Sequence, residues 1–181
     1  MAEELVASAK ERAENVMIVD LMRNDLGRVA CPGSIAVPEL CRLEAYPTVW
    51  QLTSDVTGTV PAGTGVGDLL GALFPSGSVT GAPKLAAMTV IAEIERSARG
   101  VYCGTIGWVT PSPSGVRARF SVAIRTLVVD HRRGVARYGV GGGITWSSRA
   151  DAEWRELEAK ASILRGLPWG RTPAREAPFV P

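Results

Sequence analysis

The stretch FPSGSVTGAPKLAAM, Phe74 to Met88, constrains the chain more than any other. Gly77 and Gly81 free the backbone for positive φ or for the close approach of a ligand. Ser76, Ser78 and Thr80 add hydroxyls, and Pro83 presets a helical φ at what reads as a first helical position. Leu85, Met88, Ile91 and Ile94 then recur at the spacing of one apolar helix face. A hydroxyl-rich glycine loop that opens into a helix points backbone N–H groups at a small volume suited to an anion. It is not a P-loop, because Gly81 is followed by Ala82, Pro83 and Lys84. By loop chemistry alone, the stretch reads first as an ordinary glycine-rich turn capping a helix and only second as an anion site.

At 181 residues and 46% hydrophobic, the chain is long enough to bury a core. A net charge of +2 gives no basic face for nucleic acid or an acidic membrane. No apolar run reaches the roughly 18 residues of a membrane helix. Cys31, Cys41 and Cys103 form no C-x-x-C pair, so neither a disulfide framework nor a zinc site is indicated, and a cytoplasmic setting is expected. The one histidine, His131, sits in the polar turn DHRRG, which argues against Ser-His-Asp or Cys-His chemistry.

Helical spacing predicts one long helix from Ala2 to about Leu26, with Gly27 as its C′ residue. Strands are expected at about Ser34–Arg42 and Pro47–Val60, and a short helix over Val66–Leu73. The helix after Pro83 is expected to end near Gly100. Strands Tyr102–Thr110, Val116–Asp130 and Val135–Val140 follow, turning at PSPSG and HRRG. Ser148 and Asp151 have capping-box spacing before a last helix that runs to about Leu164. Short turns between strands favour an α+β fold with antiparallel sheets packed against helices. Residues 1–166 read as one domain and the Pro-rich 167–181 as a disordered tail.

Two helices carry E-x-x-E: Glu11 with Glu14, and Glu153 with Glu156. Spacing of i, i+3 places each pair on one helix face. Facing one another, they would suit a hard cation such as Mg²⁺; otherwise they are solvated acidic faces, with Glu156 and Lys160 a surface ion pair. Arg125 lies mid-strand in FSVAIRTLVV among residues that read as buried, so it calls for an anionic partner, either an internal acid or a carboxylate ligand. Gly141–Gly143 is a second place where backbone can approach a ligand.

Taken in order, SAKERAENVMIVDLMRNDLGRV, QLTSDVTGTV, FPSGSVTGAPKLAAM, YCGTIGWV, FSVAIRTLV and GVGGGITWSSRADAEWRELEAKA resemble the chorismate-utilising enzymes. That group includes the anthranilate, isochorismate, salicylate and aminodeoxychorismate synthases. MIVDLMRNDLGRV, CPGSIAVPEL and FPSGSVTGAPK are most similar to component I of the aminodeoxychorismate synthases, in the C-terminal part of the chorismate-binding domain. The resemblance implies an α+β fold and Mg²⁺-dependent amination of chorismate at C4, with ammonia supplied by a glutamine amidotransferase. It implies Mg²⁺ ligation by Glu14 and Glu156, supported by Glu11 and Glu153. It further implies that Lys160 binds the ring carboxylate, that Arg125 and Tyr102 hold the enolpyruvyl carboxylate, and that Gly81, Gly104, Gly141 and Gly143 meet the substrate through their backbone, with Thr80 beside them.

The aminodeoxychorismate synthases also carry a P-I-K-G-T motif whose lysine is the proposed nucleophile. Residues 1–181 contain no such motif, so no catalytic residue is assigned and turnover by this chain alone is not expected. The alternatives implied by the same resemblance are an anthranilate or salicylate/isochorismate synthase, or a non-catalytic truncated remnant that keeps the fold.

Overall fold

A computed structural model describes residues 2–46, 50–113, 115–146 and 148–166. These divide into two compact units, one made of the residues up to Ile94 with Thr110–Ala118, the other of Glu95–Val109 with the residues from Arg119 onward. The expected Pro-rich tail, and Pro47–Val49 of the second expected strand, lie outside the described residues.

The first unit opens with α1 (Ala2–Ala7) and α2 (Ala9–Gly27) rather than one continuous helix. The break is at Ser8, whose extended backbone (ψ 109°) lets its hydroxyl accept the Glu11 N–H at 3.3 Å. Helical periodicity runs straight through this point; the S-x-x-E spacing of Ser8 and Glu11 is the signal that marks a new N-terminus. Gly27 is the last helical residue, and Arg28 caps α2 with ordinary right-handed angles, so no left-handed C′ glycine is used.

β1 (Ala36–Ala45) and β2 (Trp50–Thr57) pair antiparallel, from Ala36 opposite Thr57 to Ala45 opposite Trp50. The register shifts twice between Ala36 and Arg42, and Cys41 within that bulged stretch has φ +54°. Its N–H is satisfied sideways by Ser54 Oγ at 2.8 Å. Ser54 donates in turn to Asn15 Oδ1 at 2.5 Å, while Asn15 Nδ2 donates to Leu52 O at 3.2 Å. Asn15 thereby fixes α2 across the hairpin.

Helix α3 (Val66–Leu73) has the bounds expected from sequence; Asp68 accepts the Gly65 N–H at 2.8 Å at its start, and Ala72 is buried. A 3₁₀ turn at Gly77–Val79 leads to α4 (Lys84–Ile94), which starts one residue after Pro83 and stops well short of Gly100. Its apolar face is not in a core: Leu85 is 80% and Ile94 71% exposed.

β3 (Thr105–Ser112) and β4 (Gly115–Val122) form a second antiparallel pair, and β5 (Leu127–Asp130) and β6 (Val135–Tyr138) a third. The single long strand expected over Val116–Asp130 is therefore two. Ala123 turns aside, accepting the Cys103 N–H at 3.1 Å and donating its own to Gly104 O at 2.9 Å. Arg125 then takes φ +51°, outside any strand, and is exposed rather than buried. The chain ends its described part in α5 (Ala150–Ala161) and a 3₁₀ turn, Ser162–Gly166. Among the described residues, helices with three antiparallel sheets make the fold α+β.

Asn15→Ala should cost about 1–3 kcal/mol, because it leaves the Ser54 hydroxyl and Leu52 carbonyl without their helix partner. Urea unfolding checks this. A midpoint unchanged from that of the parent protein would show that Asn15 does not tie α2 to the hairpin.

Candidate functional site

In the first unit, α2 carries Glu11, exposed, and Glu14, half-buried. The loop before α4 lies on the C-terminal half of the same helix. A side chain at Gly77 would meet Leu21 Cβ at 3.1 Å, so the loop settles closely against the helix. Thr80 is half-buried and its hydroxyl donates to Ser76 O at 3.0 Å, bracing the loop from within. Gly81 has φ +139°, and a Cβ there would approach Ala87 Cβ to 3.1 Å. Lys84 Nζ reaches Asp25 Oδ2 at 2.7 Å, with Asp25 only 4% exposed. No sequence pattern pointed to Asp25, which sits in the polar run RND 59 residues from Lys84.

The second unit gathers more of the expected residues. The Tyr102 ring lies directly against Gly139, and a Cβ on Gly141 would come within 2.5 Å of its Oη. Lys160 Nζ donates to Gly141 O at 3.1 Å and also to Glu156 Oε1, one helical turn away on α5. Gly142 faces Glu153, whose Oε2 would stand 3.1 Å from an added Cβ. Gly104 must be glycine because a Cβ would meet Val101 O at 2.8 Å. Gly143 faces open space.

Ser148 does not form the expected capping box with Asp151. Arg149 is the N-cap of α5, and the Ser148 hydroxyl donates to Glu153 Oε1 at 2.6 Å while accepting the Thr145 N–H at 3.0 Å. The first turn closes instead through the Arg149 carbonyl, which accepts from Ala152 and Glu153. A serine that orients a candidate ligand carboxylate was not apparent from spacing, since the loop brings it back from outside the helix.

Burial pushes the Tyr102 phenol above its ordinary value, and the neighbouring Cys103 adds to the shift. The group therefore stays a hydrogen-bond donor at neutral pH. An open groove of about 570 Å³, lined by Arg28, Val29, Pro61, Thr64 and Asp68 among others, lies in the first unit and contains none of the expected site residues.

The family of chorismate binding enzymes matches residues 1–166. The chain belongs to this family. The chain is 47% identical over 163 residues to aminodeoxychorismate synthase component 1 of Salmonella typhimurium, covering 90% of itself and 35% of that protein. It is 42% identical to anthranilate synthase component 1 of Mycobacterium bovis, covering 91% of itself and 31% of the relative. It thus spans about a third of the length of these curated relatives. The crystal structure of anthranilate synthase component I from Streptococcus pneumoniae superposes with a TM-score of 0.73 at 36% identity, over 89% of this chain and 36% of that one. A Bacillus anthracis structure assigned as a 2,3-dihydroxybenzoate-specific isochorismate synthase gives 0.75 at 28% identity, over 91% and 43% of the two chains. Among the described residues of this family member, no helix is long and apolar enough to cross a membrane.

Because the folded phenol of Tyr102 ionises above the unfolded one, its contribution to stability is complete below about pH 10 and is lost as pH rises through the folded value. Tyrosine-selective NMR should show a ring signal, absent from Tyr102→Phe, that titrates above about pH 10. Titration at or below that value would mean that the ring is not held against the glycines.

Proposed function

We propose that this chain is the part of an aminodeoxychorismate synthase component I that grips chorismate for amination at C4. The single observation behind this reading is the cluster Tyr102, Gly141, Glu156 and Lys160, in which an ammonium, a protonated phenol and a carboxylate meet around bare glycine backbone. The reaction exchanges the C4 hydroxyl for ammonia, giving 4-amino-4-deoxychorismate and water. A glutamine amidotransferase partner supplies the ammonia; the name "component 1" borne by the relatives supports a second component.

Lys160 neutralises the ring carboxylate, and the Gly141 carbonyl and Glu156 fix its ammonium in place. Tyr102 donates from its protonated hydroxyl, and exposed Arg125 offers a planar fork to the enolpyruvyl carboxylate. On α5, Glu156, with Glu153 in support, would hold Mg²⁺. The donors are all carboxylate, which suits a hard dication, and Ser148 already orients Glu153. Bound there, the ion would offset the charge of the substrate carboxylate. A role in an anthranilate synthase is the second reading, favoured by the 42% identity to that enzyme of M. bovis.

Titrating chorismate into residues 1–181, with and without Mg²⁺, tests the grip directly. Mg²⁺ should tighten binding, and Glu156→Gln should remove most of that gain. Equal Mg²⁺ dependence in the variant would return Glu156 to a surface ion pair with Lys160. Arg125→Lys should weaken chorismate binding about 10- to 100-fold, the worth of one hydrogen bond to a charged group, while leaving the melting temperature in place. With these residues joined to the remaining part of an aminodeoxychorismate synthase component 1, mass spectrometry of the product separates amination at C4 from anthranilate formation.

A further inference from the structure

The ion pair between Asp25 and Lys84 lies outside every role given above. Asp25 is 4% exposed, and the side chain of Lys84 is 15% exposed. Taking a carboxylate and an ammonium out of water at this depth is costly, and their attraction offsets it only where the geometry is good. The pair is 2.7 Å long and joins residues 59 apart in sequence. What surrounds it explains why charge is kept there. Asp25 Oδ2 also stands 3.6 Å from where a side chain on Gly77 would begin. One carboxylate oxygen on α2 therefore bonds the start of α4 through Lys84 and lies beside the 3₁₀ turn at Gly77, close to the other end of segment 77–84. Between those ends lie Thr80, braced on Ser76 O, and Gly81 at φ +139°. Ser76, 9% exposed, meets Ser78 Oγ at 2.9 Å and completes the loop's own bracing.

We propose that Asp25 and Lys84 are positioning residues: the pair clamps segment 77–84 onto α2 and so sets where the backbone of Thr80 and Gly81 is presented to an anionic ligand. The clamp itself is a property of the fold; its consequence for chorismate rests on the reading of the site given above. A neutral pair of similar size would fill the same space but would not hold the start of α4 at one point on α2, since apolar contact has no preferred direction.

Residues 1–181 are prepared as the parent protein, Lys84→Met, the double variant Asp25→Asn/Lys84→Met, and Lys84→Arg. Each is followed by urea unfolding, by amide hydrogen exchange at residues 77–81 and by chorismate titration. Lys84→Met leaves a buried carboxylate unpaired and should lose stability; the double variant should recover most of it. Exchange at 77–81 should nonetheless run about tenfold or more faster in the double variant, because a local opening is no longer opposed. Chorismate should bind the double variant about tenfold more weakly, and Lys84→Arg, which keeps the pair, should restore protection. Parent-like exchange protection at 77–81 in the double variant overturns the clamp and leaves the pair as replaceable packing. Lost protection with unchanged chorismate affinity overturns the positioning role. Exchange is read without ligand, so a parent protein that fails to bind chorismate would sink the functional reading while the protection pattern still decides the clamp.

Discussion

Buried and half-buried polar contacts on α2 set the arrangement of the first unit. Its buried apolar side chains among the described residues are few, Val19 and Ala72. Dispersion and apolar burial give adhesion without direction, so the relative placement of elements falls to groups that bond at defined angles. Near the start of α2, Asn15 bonds the hairpin through Ser54 and Leu52; near its end, Asp25 bonds the loop through Lys84. A single helix thus holds a bulged hairpin and a glycine loop at a fixed spacing along its axis, with Glu11 and Glu14 on the same helix.

The second unit uses a different device for the same purpose. Tyr102 packs on glycine backbone, and Lys160 bonds the carbonyl of that same glycine run from α5. Ser148 then orients Glu153 from the loop between them. The result is a surface where an ammonium, a phenol and carboxylates are held by short bonds, while the backbone they surround carries no side chains to obstruct a ligand.

Local signals were legible in the sequence, and long-range ones were not. Helix α3 was readable to the residue because Gly65, Asp68 and the apolar run act within one turn. The family was readable because ordered motifs cover nearly the whole described chain, and Glu156 with Lys160 was readable as an i, i+4 pair. The helix break at Ser8 is hidden in the sequence because helical periodicity outweighs a single S-x-x-E cap. Arg125 was misread as buried because β-branched neighbours on both sides suggested one strand, whereas backbone bonds from Ala123 to Cys103 and Gly104 turn the chain between them. Asp25 with Lys84, and Ser148 with Glu153, depend on folds of the loop that no window of sequence contains.

The contact between Tyr102 and the glycines has a consequence for variation. Because the ring and phenol occupy the space a methyl group would need at 139 and 141, the alphabet at those positions is tied to the residue at 102. A smaller residue at 102 would admit alanine at 141, and a return to tyrosine would then be blocked by that alanine. Substitutions in this corner are therefore order-dependent: a lineage, natural or engineered, that gives up the aromatic ring and fills the space cannot regain it in one step.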